Sequence, residues 1–199
     1  MRDSEKIKEI FERYGGIMRT YQLTSEKIFY DDIQRLIDDG LIEKVRTGYY
    51  QLIDSENPSE AVTITRLFPD GIFCMDTALW HYGYSDRTPS RWHIAVDKYS
   101  NRSRFNIDYP FVKAYFVAPE VLSIGLCEQE IDGITVKMYD KERVICDCLR
   151  YRNKMDKELF NKAIQGYVSD TSRNIPNLME YAVPLRCANI VKKLIGVWL

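Results

Sequence analysis

Between residues 4 and 14 the apolar positions fall at Ile7, Ile10, Phe11 and Tyr14, the spacing of one helix face. Ser4 stands where an N-cap belongs and Gly15-Gly16 where a helix stops. A short second segment, 17–25, follows with Thr20 as its cap, and the chain turns near Glu26-Lys27. Periodicity returns over 29–39, where Phe29, Ile33, Leu36 and Ile37 share a face and Gly40 ends the run. Residues 41–45 and 49–53 are strand-like around Arg46-Thr47-Gly48, which predicts a β-hairpin. Three helices and then a hairpin is the order of a winged helix-turn-helix, whose third helix enters the major groove while the hairpin reaches the backbone. The same order also serves plain protein-interaction modules.

Residues 54–59 form a polar break that reads as a linker. Beyond it helix and strand mix. Helices are expected over 60–68, 75–82, 140–150, 156–168, 175–181 and 186–198, and strands over 92–96 and 112–117. Runs 126–131 and 134–138 flank Asp132-Gly133, a pair suited to a type I′ hairpin turn. In the last helix Ile190, Val191, Leu194, Ile195, Trp198 and Leu199 recur at helical spacing and are expected to close the core. The predicted class is α+β: an N-terminal winged helix-turn-helix over 1–53, a linker over 54–59 and a larger mixed α/β domain over 60–199.

Composition narrows the function classes. The 199 residues are 45% hydrophobic and 29% charged, ordinary for a globular protein. Lys+Arg is 28 against 29 Asp+Glu, which excludes nucleic-acid binding by bulk charge but leaves room for a local patch. No window of ~18 apolar residues is free of charge, and the first residues, Met-Arg-Asp-Ser-Glu-Lys, are no signal segment. Five cysteines at no scaffold-like spacing suggest reduced thiols and a cytoplasmic setting.

The signatures of common enzymes are missing. There is no Gly-x-x-x-x-Gly-Lys-Ser/Thr loop, no Gly-x-Gly-x-x-Gly turn and no His-Glu-x-x-His. Cys146-x-Cys148 is one residue short of the usual metal pair, and positions i and i+2 of a helix do not face each other. The expectation is therefore neither enzyme, metal site nor cofactor. His81 reads as a capping or hydrogen-bonded residue, and Arg143 with Asp147 as a structural i,i+4 pair.

The basic residues carry more. Residues 1–52 hold nine Lys/Arg against ten Asp/Glu, yet the cations Arg19, Lys27, Arg35, Lys44 and Arg46 run from the second helix through the hairpin, where phosphates would lie. Tyr30, Asp31, Gln34 and Arg35 stand off the apolar face of the third helix. Thr20, Thr47 and Tyr49 add hydroxyls. The expected DNA-contact set is thus Arg19, Thr20, Lys27, Tyr30, Gln34, Arg35, Lys44, Arg46, Thr47 and Tyr49. A second cluster, Arg87, Arg91, Lys98, Arg102 and Arg104, lies in a window with six Lys/Arg against three Asp and is a possible nucleic-acid or partner patch.

Several stretches resemble the AbiEi antitoxin family. They are residues 15–20 (GGIMRT), 33–45 (IQRLIDDGLIEKV), 46–50 (RTGYY), 76–84 (DTALWHYGY) with Thr88-Pro89, 131–136 (IDGITV) and 142–147 (ERVICD). The resemblance spans nearly the whole chain. It implies a type IV antitoxin of a bacterial abortive-infection system against phage. Its winged helix would repress its own operon by binding double-stranded operator DNA at inverted repeats. Its C-terminal domain would counter a nucleotidyltransferase-like toxin without a stable complex. On this reading Arg35, Lys44, Arg46, Thr47 and Tyr49 become the leading DNA contacts. The alternative is an RNA- or protein-binding inhibitor acting on the toxin or its substrate through the C-terminal domain. One departure stands out: where many relatives carry Gly-Ile-Ser before the third helix, this chain has Lys27-Ile28-Phe29.

Overall fold

A computed structural model describes residues 4–53 and 59–196. Helix α1 (Ser4–Arg13) turns Ile7, Ile10 and Phe11 inward, as its periodicity requires. The second predicted segment divides. Ile17–Arg19 is a strand, β1, and only Thr20–Ser25 is helical, α2. Helix α3 (Tyr30–Asp38) and strands β2 (Ile42–Arg46) and β3 (Tyr49–Leu52) complete the order, with Gly48 supplying the positive φ of the hairpin turn. β1 pairs antiparallel with β3, giving a three-stranded sheet in the order β1-β3-β2. Ile7, Phe11, Met18, Leu23, Ile28, Ile33, Ile42 and Tyr50 belong to one buried cluster.

The chain divides into two units, Met1–Pro69 with Asn106–Pro110 and Asp70–Phe105 with Phe111–Leu199. Helix α4 (Glu60–Leu67), which the sequence assigns to the larger domain, therefore belongs to the first unit. The contacts explain why: Arg46 donates to the Leu67 carbonyl at 3.0 Å and lies over the Phe68 ring, and Tyr109 hydrogen-bonds Glu60. Of the expected linker only Ser59, the N-cap of α4, falls within the described residues.

The second unit holds β4 (Ile72–Phe73), α5 (Met75–His81), β5 (Trp92–Asp97), a 3₁₀ turn (Arg102–Phe105), β6 (Val112–Val117) and α6 (Pro119–Leu122). Then come β7 (Leu126–Ile131), β8 (Ile134–Tyr139), α7 (Lys141–Tyr151), α8 (Lys157–Ser169), α9 (Ile175–Ala182) and α10 (Ala188–Leu194). The strands form one mixed sheet in the order β6-β5-β4-β8-β7. Asp132 and Gly133 both take positive φ between the paired Ile131 and Ile134, as the I′ turn demands. In α10 Val191 is buried, as is Ile195 just beyond it, while Trp198 and Leu199 lie outside the described residues. The chain is α+β, and no described helix is long and apolar enough to cross a membrane.

Helix α7 is the centre of this unit: every residue from Glu142 to Leu149 is buried. Its polar members are bonded mostly to other elements, although Arg143 Nη2 has no partner among the described residues. Glu142 accepts from Tyr167 Oη at 3.2 Å and from the Asn174 amide at 2.8 Å, and Arg143 donates Nε to Asp147 at 2.9 Å.

His93 on β5 is also buried. Its Nδ1 receives the Asp76 backbone N–H at 3.3 Å and lies 3.4 Å from Tyr115 Oη, contacts that suit the neutral ring. Burial, aided by Lys113 and Arg91, holds its pKa down to about 3, although Asp76 Oδ1 stands 3.5 Å away. The unfolded chain takes up this proton below about pH 6.5 while the folded chain refuses it. This contribution to stability is therefore complete above pH 6.5 and is lost as pH falls toward 3. The Asp76 carboxyl, raised by its own burial, opposes the trend at the acid end. Urea unfolding at pH 5 is expected to show about 2 kcal/mol less stability from His93 than at pH 7.5, a deficit that His93→Gln removes.

Candidate nucleic-acid interface

The outward face of α3 presents Tyr30, Asp31, Gln34 and Arg35, because Ile33 and Leu36 fix the opposite face in the core. Tyr30, Asp31 and Arg35 are exposed and Gln34 is half-buried. Beside α3, Lys27 precedes it in the turn, and β2 and the hairpin tip carry exposed Lys44 and Thr47. The side chains of Lys27, Arg35 and Lys44 make no ion pair among the described residues, so these three cations are open to solvent. They alternate with exposed Asp31, Asp38, Asp39 and Glu43, so the face is mixed in sign.

The turn before α3 accounts for the sequence departure. Lys27 adopts φ +59, the conformation that glycine favours. Its N–H donates to Thr24 O and that of Ile28 to Leu23 O, while the Ile28 side chain is wholly buried. Phe29 occupies the N-cap, where no side-chain acceptor is available. Asp32 compensates by accepting the Phe29 N–H at 3.1 Å. Thus Lys27-Ile28-Phe29 keeps the turn at some cost in backbone strain. Lys27→Gly is expected to raise stability by about 0.5–1 kcal/mol, measured as a higher melting temperature, while removing one cation from this face.

Phe29, expected to share the apolar face of Ile33 and Leu36, is instead 57% exposed, because the helix begins one residue after it. With Tyr21 and Tyr30, also more than half exposed, it places three large aromatics on α2 and α3 and in the turn between them. Sequence periodicity offers no signal for this, since an aromatic at a helix start reads as an anchor.

Other expected contact residues are occupied with one another. The Tyr49 ring is approached by the Arg46 guanidinium, 3.8 Å from its centre, and by that of Arg19, at 5.1 Å. Arg46 is half-buried and binds Leu67 O, so it positions the hairpin against α4 rather than reaching outward. Arg19 is half-exposed. Thr20 is exposed and does not cap α2. Arg19 holds the cap position, its N–H accepted by Gln22 Oε1 at 2.7 Å, and the Thr20 amide instead donates to Gly48 O at 3.0 Å. That bond ties the hairpin turn to the start of α2.

The second cluster is not one patch of free charge. Arg87 pairs with Glu158 and Arg104 with Asp70, two acids outside residues 86–113, the stretch in which six Lys/Arg stand against three Asp. Arg102 lies over Phe116 at 4.1 Å, Lys98 over Tyr99 at 4.8 Å, and Arg91 is exposed. His81 ends α5 and shares a hydrogen bond with Gln129 Oε1 at 3.2 Å. All five cysteines are free thiols, and among the described residues no cluster of three or more His, Cys, Asp or Glu is arranged to hold a metal.

No family model and no curated protein matches this chain. Its fold is similar to that of the RV2827C protein from Mycobacterium tuberculosis, known from a crystal structure. The TM-score is 0.56, covering 97% of this chain and 80% of that one, at 12% identity. A likeness at that identity speaks for the fold alone.

Proposed function

We propose that this chain is a DNA-binding repressor of its own operon that also acts as a type IV antitoxin, with a winged helix-turn-helix in its first unit. One observation carries the DNA-binding half. An outward helix face of Tyr30, Gln34 and Arg35 stands in the same unit as a hairpin carrying free Lys44 and Thr47, in the element order helix, strand, helix, helix, hairpin. A helix of this size fits a major groove, a guanidinium and an amide suit purine edges, and a lysine on the wing suits a phosphate. The mixed charge of the face makes a single module a weak binder, so the reading calls for two copies on inverted repeats. The antitoxin half, and its action without a stable toxin complex, rests on the sequence resemblance. Expression of the chain from a second plasmid is expected to lower transcription from its own promoter several-fold and to restore growth of cells making the toxin encoded beside it. Unchanged promoter activity would remove the repressor reading, and unrelieved toxicity the antitoxin one.

A further inference from the structure

The second unit contains a cavity of about 280 Å³ between β5, β6, α6 and α7. Ala95 on β5 lines it, and its small side chain leaves the space beside the larger Tyr115, its register partner on β6. Tyr115 and Tyr151 meet there edge to face, ring centres 5.5 Å apart and planes at 88°, and Cys74 and Met75 add apolar surface. Two cations, Lys98 and Arg150, also line the space, and Lys98 is exposed. The carboxylate of Asp147, also in the lining, bridges Arg150 and the buried Arg143. It accepts one bond from Arg143 Nε at 2.9 Å and one from Arg150 Nη1 at 3.0 Å, leaving each oxygen a further lone pair.

This combination is amphipathic in a particular way. An aromatic corner takes a flat ring. A fixed carboxylate with spare acceptor capacity takes the N–H edge of that ring. A lysine and an arginine take an anion, for which guanidinium and ammonium groups suit phosphate. The volume lies at the lower limit of small-molecule sites, which suits a single nucleotide rather than a dinucleotide. We propose that this cavity binds a mononucleotide, its base against Tyr115 and Tyr151 and its phosphate at Lys98 and Arg150.

The test is calorimetric titration of the full chain with AMP, GMP, CMP and UMP in turn, with adenosine and inorganic phosphate as the separate halves. At least one nucleotide is expected to bind with a Kd between about 10 μM and 1 mM, and adenosine and phosphate each about tenfold more weakly or worse. Lys98→Glu changes an exposed side chain and is expected to weaken that binding about tenfold without moving the melting temperature. Ala95→Val narrows the cavity beside Tyr115 and is expected to weaken it too, which places the ligand here and not on the first unit. Four results overturn the proposal: no nucleotide binding at 1 mM or about that level, phosphate binding as well as any nucleotide, binding unaffected by Lys98→Glu, or binding unaffected by Ala95→Val.

Discussion

Replacing Arg143 by Met is expected to lower stability by about 3–5 kcal/mol, a large share of the roughly 5–15 kcal/mol that holds a typical domain folded. Arg143 is fully buried on α7, the central helix. Nε donates to Asp147 at 2.9 Å, and Nη1 to the carbonyls of Val121 at 2.6 Å and Ile124 at 2.8 Å. The guanidinium also lies over the Tyr139 ring at 4.1 Å. A thioether fills much of the volume but leaves two carbonyls and one carboxylate oxygen short of a donor, and each orphaned buried acceptor costs about 1–3 kcal/mol. Lysine cannot restore a planar fork, so Arg143→Lys should fail nearly as badly. The double variant Arg143→Met with Asp147→Leu removes the stranded charge and is expected to recover part of the loss. Urea denaturation followed by circular dichroism measures all three. A loss below about 1 kcal/mol in Arg143→Met would show that the ion pair does not anchor this unit. Gly125 belongs to the same arrangement: it has φ +70, and a Cβ there would stand 2.4 Å from Arg143 Cβ.

The second large effect concerns DNA. Arg35→Ala is expected to cost about 1–3 kcal/mol of operator binding, or about five- to 150-fold, and to reduce discrimination against scrambled sequence. Lys44→Ala should weaken binding to all sequences alike and lower the salt slope by about one. Both side chains are exposed and make no ion pair among the described residues, so neither substitution should shift the melting temperature. Arg46→Ala is different in kind. It releases the hairpin from Leu67 O and the Phe68 ring and uncovers the Tyr49 ring, so it should lower the melting temperature as well as the affinity. Gel retardation on operator and scrambled DNA, beside a thermal melt of each variant, separates the two behaviours. Full operator affinity in Arg35→Ala would take the third helix out of the interface.

Local periodicity made most elements readable. Ile7, Ile10 and Phe11 sit as one helix face predicts, and Asp132-Gly133 makes the turn its dihedral preferences call for. What remained hidden depended on partners distant in sequence. Ile17–Arg19 becomes a strand because β3, thirty or so residues on, offers it hydrogen bonds, and three residues carry no periodicity of their own. The placement of α4 with the first unit depends on Arg46 and Tyr109, which no reading of residues 60–68 contains. Charge counting misjudged the second cluster for the same reason, since Asp70 and Glu158 reach Arg104 and Arg87 across 34 and 71 residues of chain. The Arg143–Asp147 spacing was visible as a pair, but its burial on every side was not, because Glu, Arg and Asp give α7 the look of a surface helix.

Sequence-specific DNA binding by the first unit underlies the proposed repression. It is tested most directly by retardation of DNA from upstream of the gene by the purified full chain across a salt series, with scrambled DNA as control. The expected result is a shift specific to the upstream DNA that weakens steeply with salt, with log affinity falling by about 0.9 per phosphate neutralised for each tenfold rise in salt, and that needs both halves of an inverted repeat. Equal retardation of upstream and scrambled DNA, or no retardation at low salt, would contradict it and leave α3 and the hairpin as a protein-contact surface.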